Sequence, residues 1–157
     1  HHDADTDGEP LSGQSTARRL ARLLRRVDIF SANISRRMSR PAMSPLMAAR
    51  QACLGADGQP DEIGGALLRA VGLYPPGSFV ELVSGEVGIV VSRGRRANLP
   101  LVAVLVSASG NVHAEPMLRE TLDRRHAVKA AVAPDRVKVR VMHDKVLALA
   151  AAASRLH

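Results

Sequence analysis

The spacing of apolar residues changes at Gly72, and this change constrains the fold more than any other feature of the chain. Before Gly72, apolar side chains recur every three or four residues, which is the period of a helix with one buried face. After Gly72, short aliphatic runs are separated by pairs that contain glycine, a pattern typical of strands joined by turns. The sequence therefore predicts a helical part followed by a part built of strands.

Three helices are predicted in the first part. Leu20, Leu24, Val27 and Phe30 recur at helical spacing, while arginines fill the other faces of the same segment. Each expected helix begins after a residue that can cap its first turn and ends before a proline or glycine. The expected helices extend from Ser15 or Thr16 towards Ile34, from Ser44-Pro45 to Cys53, and, after the cap Asp61, from Glu62 to Val71.

Four strands are predicted in the second part, where they form a small antiparallel meander. Ser84-Gly85, Arg93-Gly94 and Ser109-Gly110 supply the turns between them. The chain then becomes rich in alanine and leucine, which favours a helical end. The expected strands are Phe79 to Val83, Val87 to Ser92, Leu101 to Ser107 and Val112 to Met117.

These patterns predict a mainly α fold, followed by a small antiparallel β subdomain and a helical tail. The expected boundaries place a helical domain at residues 1–72, a β-meander extension at 73–133 and a partly helical tail at 134–157. Only 2% of the residues are aromatic, so aliphatic side chains must supply the core.

Arginine dominates the charge of the chain. The formal net charge is +7, and between Leu11 and Arg50 there are nine arginines against one acid, Asp28. Such a field attracts phosphates, but an ordinary solvated helix face gives the same pattern.

A basic nucleic-acid-binding β domain is a further hypothesis. The near absence of aromatic residues argues against it, because single-stranded nucleic acids are bound largely by stacking on aromatic rings.

The remaining composition excludes several classes of site. Cys53 is the only cysteine, so neither a disulfide framework nor a cysteine-based zinc site is possible, and we expect its thiol to be buried. His113 and His126 have no carboxylate or cysteine partner at ligand spacing and are expected to face solvent. No apolar run approaches the roughly 20 residues of a membrane span. We expect a cytoplasmic protein that has no nucleic-acid partner and no membrane contact within this segment.

Several short segments resemble one family in order and approximate spacing. His1-His2-Asp3 with Gly8-Glu9-Pro10 resembles the HHE…GYP signature of HD-GYP domains. Residues 27–32, VDIFSA, are similar to that family's D-x-F-D-A segment, and residues 35–45, SRRMSRPAMSP, to its S-D-R-P-Y-R-x-A-x-S-P segment. Residues 67–90 resemble the extension that often follows these domains. The resemblance covers roughly residues 1 to 130 and identifies 1–72 as the C-terminal part of the helical domain.

The resemblance implies a metal-dependent hydrolase that cleaves cyclic di-GMP. His1 and His2 match two adjacent histidine ligands of the family, and Asp28 matches an aspartate ligand. Arg37 and Arg40 match basic residues that hold the substrate phosphate. Imidazole and carboxylate ligands suit iron or manganese, which are the expected cofactors. The family's GYP motif further implies contact with diguanylate cyclase domains.

The chain departs from the family pattern at several positions, and a second hypothesis follows from them. The family residues Glu, Tyr, Asp and Asp are replaced here by Asp3, Glu9, Ser31 and Arg36. The family's upstream HD pair is also missing, so the chain is expected to be a fragment without a complete catalytic site. The alternative to an active parent enzyme is a catalytically degenerate module that serves protein interaction or nucleotide sensing.

Overall fold

Helices form the first part of the chain and an antiparallel sheet forms most of the second. The computed structural model describes residues 12–35, 43–55 and 57–155. Of these residues, 41% are helical and 22% are in strands, so the prediction of a mainly α fold is wrong. The sheet has five strands and is a major part of the fold, whereas a small β subdomain was predicted.

The three predicted helices are confirmed, and the first and third begin with the predicted caps. They are α1, Thr16–Ile34, α2, Pro45–Cys53, and α3, Glu62–Val71. The Ser15 hydroxyl accepts a hydrogen bond from the Arg18 amide at 3.4 Å, which satisfies one of the free amides at the start of α1. The Asp61 carboxylate does the same for the Gly64 amide at 2.7 Å. Gly72 follows α3 with φ +92°, the left-handed conformation that commonly ends a helix.

The chain divides into two compact units. The first contains His1–Met43 and Met47–Ala70, and the second contains Ser44–Leu46 and Val71–His157. We refer to them as the helical unit and the sheet unit. In the part of the chain that the structure describes, no helix is both long and apolar enough to cross a membrane.

Small side chains of α2 form much of the buried part of the helical unit, together with Ile63 and Leu67 of α3. Ala48, Ala49, Ala52 and Cys53 of α2 are at most 3% exposed, so the prediction of a buried Cys53 is confirmed. The backbone of α3 lies directly against the end of α2, because a Cβ atom added at Gly64 would fall 1.9 Å from the Cys53 carbonyl oxygen. Only glycine permits this approach between the two helices.

Helix α1 carries an exposed row of large apolar residues. Leu20, Leu24, Val27 and Ile34 are 53%, 67%, 39% and 40% exposed, and we call them the apolar stripe of α1. In contrast, Arg26 on another face of the same helix is only 7% exposed. The helix thus buries a cation and exposes leucines, which is the reverse of the usual distribution on a helix surface.

The sheet unit is an antiparallel meander whose last strand returns to the first. The strand order is β4-β3-β2-β1-β5. Strands β1 to β4 were predicted, whereas β5 was not, and the predicted helical end is confirmed as α4, His143–Ser154. Short 3₁₀ turns at Arg124–His126 and Pro134–Arg136 flank β5. The strands are β1, Phe79–Leu82, β2, Val87–Ser92, β3, Leu101–Val106, β4, Val112–Glu120, and β5, Val128–Val132.

The sheet buries side chains on both of its faces. Because side chains alternate along a strand, Leu101, Ala103 and Leu105 share one face of β3, whereas Val102 and Val104 share the other. Helix α4 packs on the first face through residues such as Val146 and Ala153. All five of these β3 residues are at most 4% exposed. The sheet therefore holds much of the buried aliphatic core, which explains why treating it as an appendage led to the wrong fold class.

Candidate functional site

Of the five predicted site residues, Asp28 alone lies within the described residues. It occupies the fourth turn of α1, and its side chain is exposed. It follows Leu24 by four residues, so the carboxylate lies beside the apolar stripe. His1, His2, Arg37 and Arg40 lie outside the described residues.

The described residues contain no ready-made metal centre. Within the ranges 12–35, 43–55 and 57–155, no group of three or more His, Cys, Asp or Glu side chains could hold a metal ion. A single carboxylate does not bind a metal firmly by itself, because enzyme metal sites use several ligands per ion. Asp28 therefore requires further ligands, and His1 and His2 remain the predicted ones.

Most arginines of α1 that face α3 are used in ion pairs. The Arg26 guanidinium donates to the Asp61 carboxylate at 2.7 Å and to the Ala52 carbonyl at 3.4 Å. Arg22 reaches the same carboxylate at 3.5 Å, and Arg19 lies 3.6 Å from Glu62. Two acids at the start of α3 thus neutralise part of the basic field that the sequence analysis assigned to phosphates or solvent.

Asp61 is the residue that connects these interactions, and the sequence analysis recognised only part of its role. Its Oδ1 atom accepts the Gly64 amide as a helix cap, while Oδ2 accepts Arg26. Burial raises the pKa of the adjacent Cys53 thiol, an effect that Arg26 opposes and Asp61 reinforces. A thiol with a raised pKa is a poor nucleophile, so Cys53 is a packing residue rather than a reactive one.

A second charged cluster lies in the sheet unit around Glu86, which is 8% exposed. Its carboxylate accepts hydrogen bonds from the Ser84 hydroxyl at 2.8 Å and from Arg119 at 3.0 Å. Burial alone would raise the pKa of Glu86, but these two donors outweigh it and hold the pKa below its usual value. The carboxylate is therefore well satisfied and connects the β1–β2 turn to β4.

His126 belongs to the same cluster, and the expectation that it has no carboxylate partner is wrong. Its two ring nitrogens lie 3.8 Å from the carboxylates of Glu86 and Asp123. The hydrogen bond from Arg125 lowers the pKa of Asp123 to about 2, so this carboxylate stays charged at neutral pH. Asp123 precedes His126 by three residues and could have been noticed in the sequence, whereas Glu86 is forty residues away and could not.

A cavity of about 570 Å³ opens elsewhere on the sheet unit. Leu99, Leu101, Thr121 and Leu122 are among the residues that line it. Three charged side chains also line it, namely Arg95, Arg96 and Glu120. Its size falls within the usual range of small-molecule sites. In the sequence, Arg93-Gly94 predicts only a turn, and no local pattern indicates this cavity.

Comparison with known proteins returns no matching family model, curated protein or solved structure.

Proposed function

We propose that the chain is the C-terminal part of an HD-GYP-like, metal-dependent phosphodiesterase that acts on cyclic di-GMP. The observation that carries the proposal is the ordered similarity of residues 27–45 to two consecutive segments of that family. In this proposal His1, His2 and Asp28 contribute metal ligands. The substrate is an intracellular signalling molecule, so the proposed place of action is the cytoplasm.

The surface of α1 supports a place for Asp28 in a larger helical arrangement. Contiguous exposed apolar surface usually marks a site of packing against another part or another protein. The apolar stripe lies beside Asp28, so whatever covers Leu24 and Val27 also partly encloses the carboxylate. Enclosure strengthens the interaction of a carboxylate with a cation, because the local dielectric constant falls.

The proposed ligand set fits the chemistry of iron or manganese. Asp28 is exposed and has no ion pair to another described residue, so its oxygens are available to a cation. Imidazole and carboxylate together suit Mn²⁺ and Fe²⁺. When bound, the metal would polarise the phosphodiester and lower the pKa of a water molecule. Arg37 and Arg40 would hold the phosphate oxygens through paired hydrogen bonds, which fix the orientation of the scissile group.

A second candidate function is a degenerate module that binds cyclic di-GMP or diguanylate cyclase domains without hydrolysis. Ser31 and Arg36 stand where the family has aspartates, and these replacements favour the second candidate. Loss of a carboxylate next to a metal site weakens metal binding, whereas retained arginines still attract phosphate.

Hydrolysis of cyclic di-GMP by the full-length gene product tests the proposal. With Mn²⁺ or Fe²⁺ supplied, we expect conversion to the linear dinucleotide or to GMP, and loss of turnover after chelation by EDTA. Chromatography separates the nucleotides directly. Absence of turnover with either metal would contradict the proposal, and binding of intact cyclic di-GMP in that case would favour the degenerate module.

A further inference from the structure

The cavity of the sheet unit lined by Arg95, Arg96 and Glu120 has no role in the proposed phosphodiesterase. Part of its lining is firmly placed, because Leu101 lies in β3 and its side chain is buried in the core. Another part is fixed in a similar way, since the buried Thr121 hydroxyl donates to the Pro100 carbonyl at 2.8 Å. The cavity is therefore built on rigid parts of the sheet unit.

The loop that carries the two arginines is closed at its base. A Cβ atom added at Gly94 would fall 1.7 Å from the Leu99 carbonyl oxygen, so the two backbones lie in contact. The Leu99 amide also donates to the Arg96 carbonyl at 3.0 Å. A loop held in this way loses little conformational entropy when a ligand binds to it, which favours binding.

The charged side chains of the cavity are not neutralised by one another. Among the described residues, the side chains of Arg95, Arg96 and Glu120 make no ion pair, although all three line the same cavity. This differs from Arg26 of α1 and from Arg119, whose guanidinium groups contact carboxylates. Two cations and one carboxylate thus remain available to a ligand.

We propose that this cavity binds a guanine mononucleotide. Two adjacent guanidinium groups are suited to a phosphate, which they can hold through paired hydrogen bonds. The partly exposed Leu99 and the exposed Leu122 offer an apolar surface to the face of a base. A carboxylate accepts hydrogen bonds only, so Glu120 favours a base edge with adjacent N–H donors, as guanine has. Adenine presents a ring acceptor at that edge and is disfavoured.

Nucleotide binding here is independent of the proposed hydrolysis. The cavity residues belong to the sheet unit, whereas the described ligand candidate Asp28 belongs to the helical unit. Failure to hydrolyse cyclic di-GMP would therefore leave this inference intact. In the same way, failure to bind GMP would leave the phosphodiesterase proposal intact.

Isothermal titration of the 157-residue chain with GMP, AMP and guanosine tests the inference. We expect GMP to bind more tightly than AMP, and guanosine to bind weakly because it lacks the phosphate. The double variant Arg95→Ala/Arg96→Ala should weaken GMP binding about tenfold or more, as expected for the loss of charge-assisted hydrogen bonds. Glu120→Gln should remove most of the preference for GMP over AMP.

The matched control is Arg136→Ala/Arg140→Ala, which removes the same charge from exposed positions outside the cavity. It should leave GMP affinity within about twofold of the unmodified chain, since screening limits distant surface charges. Three results would overturn the inference: no binding of GMP, equal binding of AMP, or equal loss of affinity in the two double variants. Because the cavity arginines are exposed, their removal should leave the circular dichroism spectrum unchanged.

Discussion

At the scale of single residues, Asp61 shows how far local sequence rules reach. Its role as the cap of α3 follows from its position before an apolar helical segment, and the structure confirms it. Its second role, as the partner of Arg26 thirty-five residues earlier, depends on how α1 lies against α3. No local pattern contains that information, so the basic face of α1 could not be divided into paired and available arginines from the sequence.

Replacement of Asp61 separates these two roles. Asp61→Ala removes the cap and leaves Arg26 buried without its carboxylate, which should lower the free energy of unfolding by about 2–3 kcal/mol. Asp61→Asn keeps a good cap but loses the charge, so it should cost about 1–2 kcal/mol. Urea denaturation followed by circular dichroism measures both values.

The control for this experiment is Glu62→Ala on the same helix. Glu62 pairs with Arg19 at 3.6 Å, but both side chains are more than half exposed. An exposed pair contributes little, so this change should cost less than about 0.5 kcal/mol. Equal destabilisation by Asp61→Ala and Glu62→Ala would contradict the assignment of Asp61 as the partner that stabilises a buried Arg26.

At the scale of elements, the turns between strands were predicted more completely than the strands themselves. Gly85 and Gly110 adopt φ +85° and +84°, as the predicted turns before β2 and β4 require. Strand β5 was missed because its sequence, VKAAV, contains two alanines, and its residues are mostly exposed. Its pairing with β1 is a long-range contact, so the local sequence gave little indication of it.

Two adjacent glycines of α3 should respond in opposite ways to substitution. Gly64→Ala places a Cβ atom against the Cys53 carbonyl, and the resulting separation of α2 from α3 should cost about 1–3 kcal/mol. Gly65→Ala meets only the flexible end of Arg69 at 3.6 Å and should stabilise the helix by about 0.5–1 kcal/mol. Thermal or urea unfolding measures both. Destabilisation of the same size at both positions would show that the close approach of α2 and α3 is not the cause.

At the scale of the whole molecule, the sequence predicted a helical region and a strand region. It did not predict how large a part of the fold the sheet forms. Helix spacing before Gly72 and strand patterns after it correspond to observed elements. The predicted fold class was nevertheless wrong. The resemblance implied a helical domain, whereas much of the buried aliphatic core lies in the sheet. Burial of a core depends on which elements pack together, and this follows from tertiary structure rather than from the local pattern.

The candidate sites, like the fold class, could be predicted from the sequence only in part. Asp28 lies exposed on α1 beside the apolar stripe, and its role as a metal ligand stays a prediction. The cavity at Arg95 could not have been recognised from the sequence, because Glu120 and Leu101 reach it from other parts of the sheet unit. The sequence could thus suggest single candidate residues that match a family motif. It could not predict a cavity whose residues are brought together by the sheet.

The metal content of the full-length gene product is the most direct test of the central claim, that Asp28 is a ligand in a phosphodiesterase metal site. Mass spectrometry should find bound iron or manganese in the unmodified protein, much less in Asp28→Ala, and an undiminished amount in the control Asp135→Ala, which removes another exposed carboxylate. Equal metal content in the unmodified protein and Asp28→Ala, or none in either, would contradict the claim.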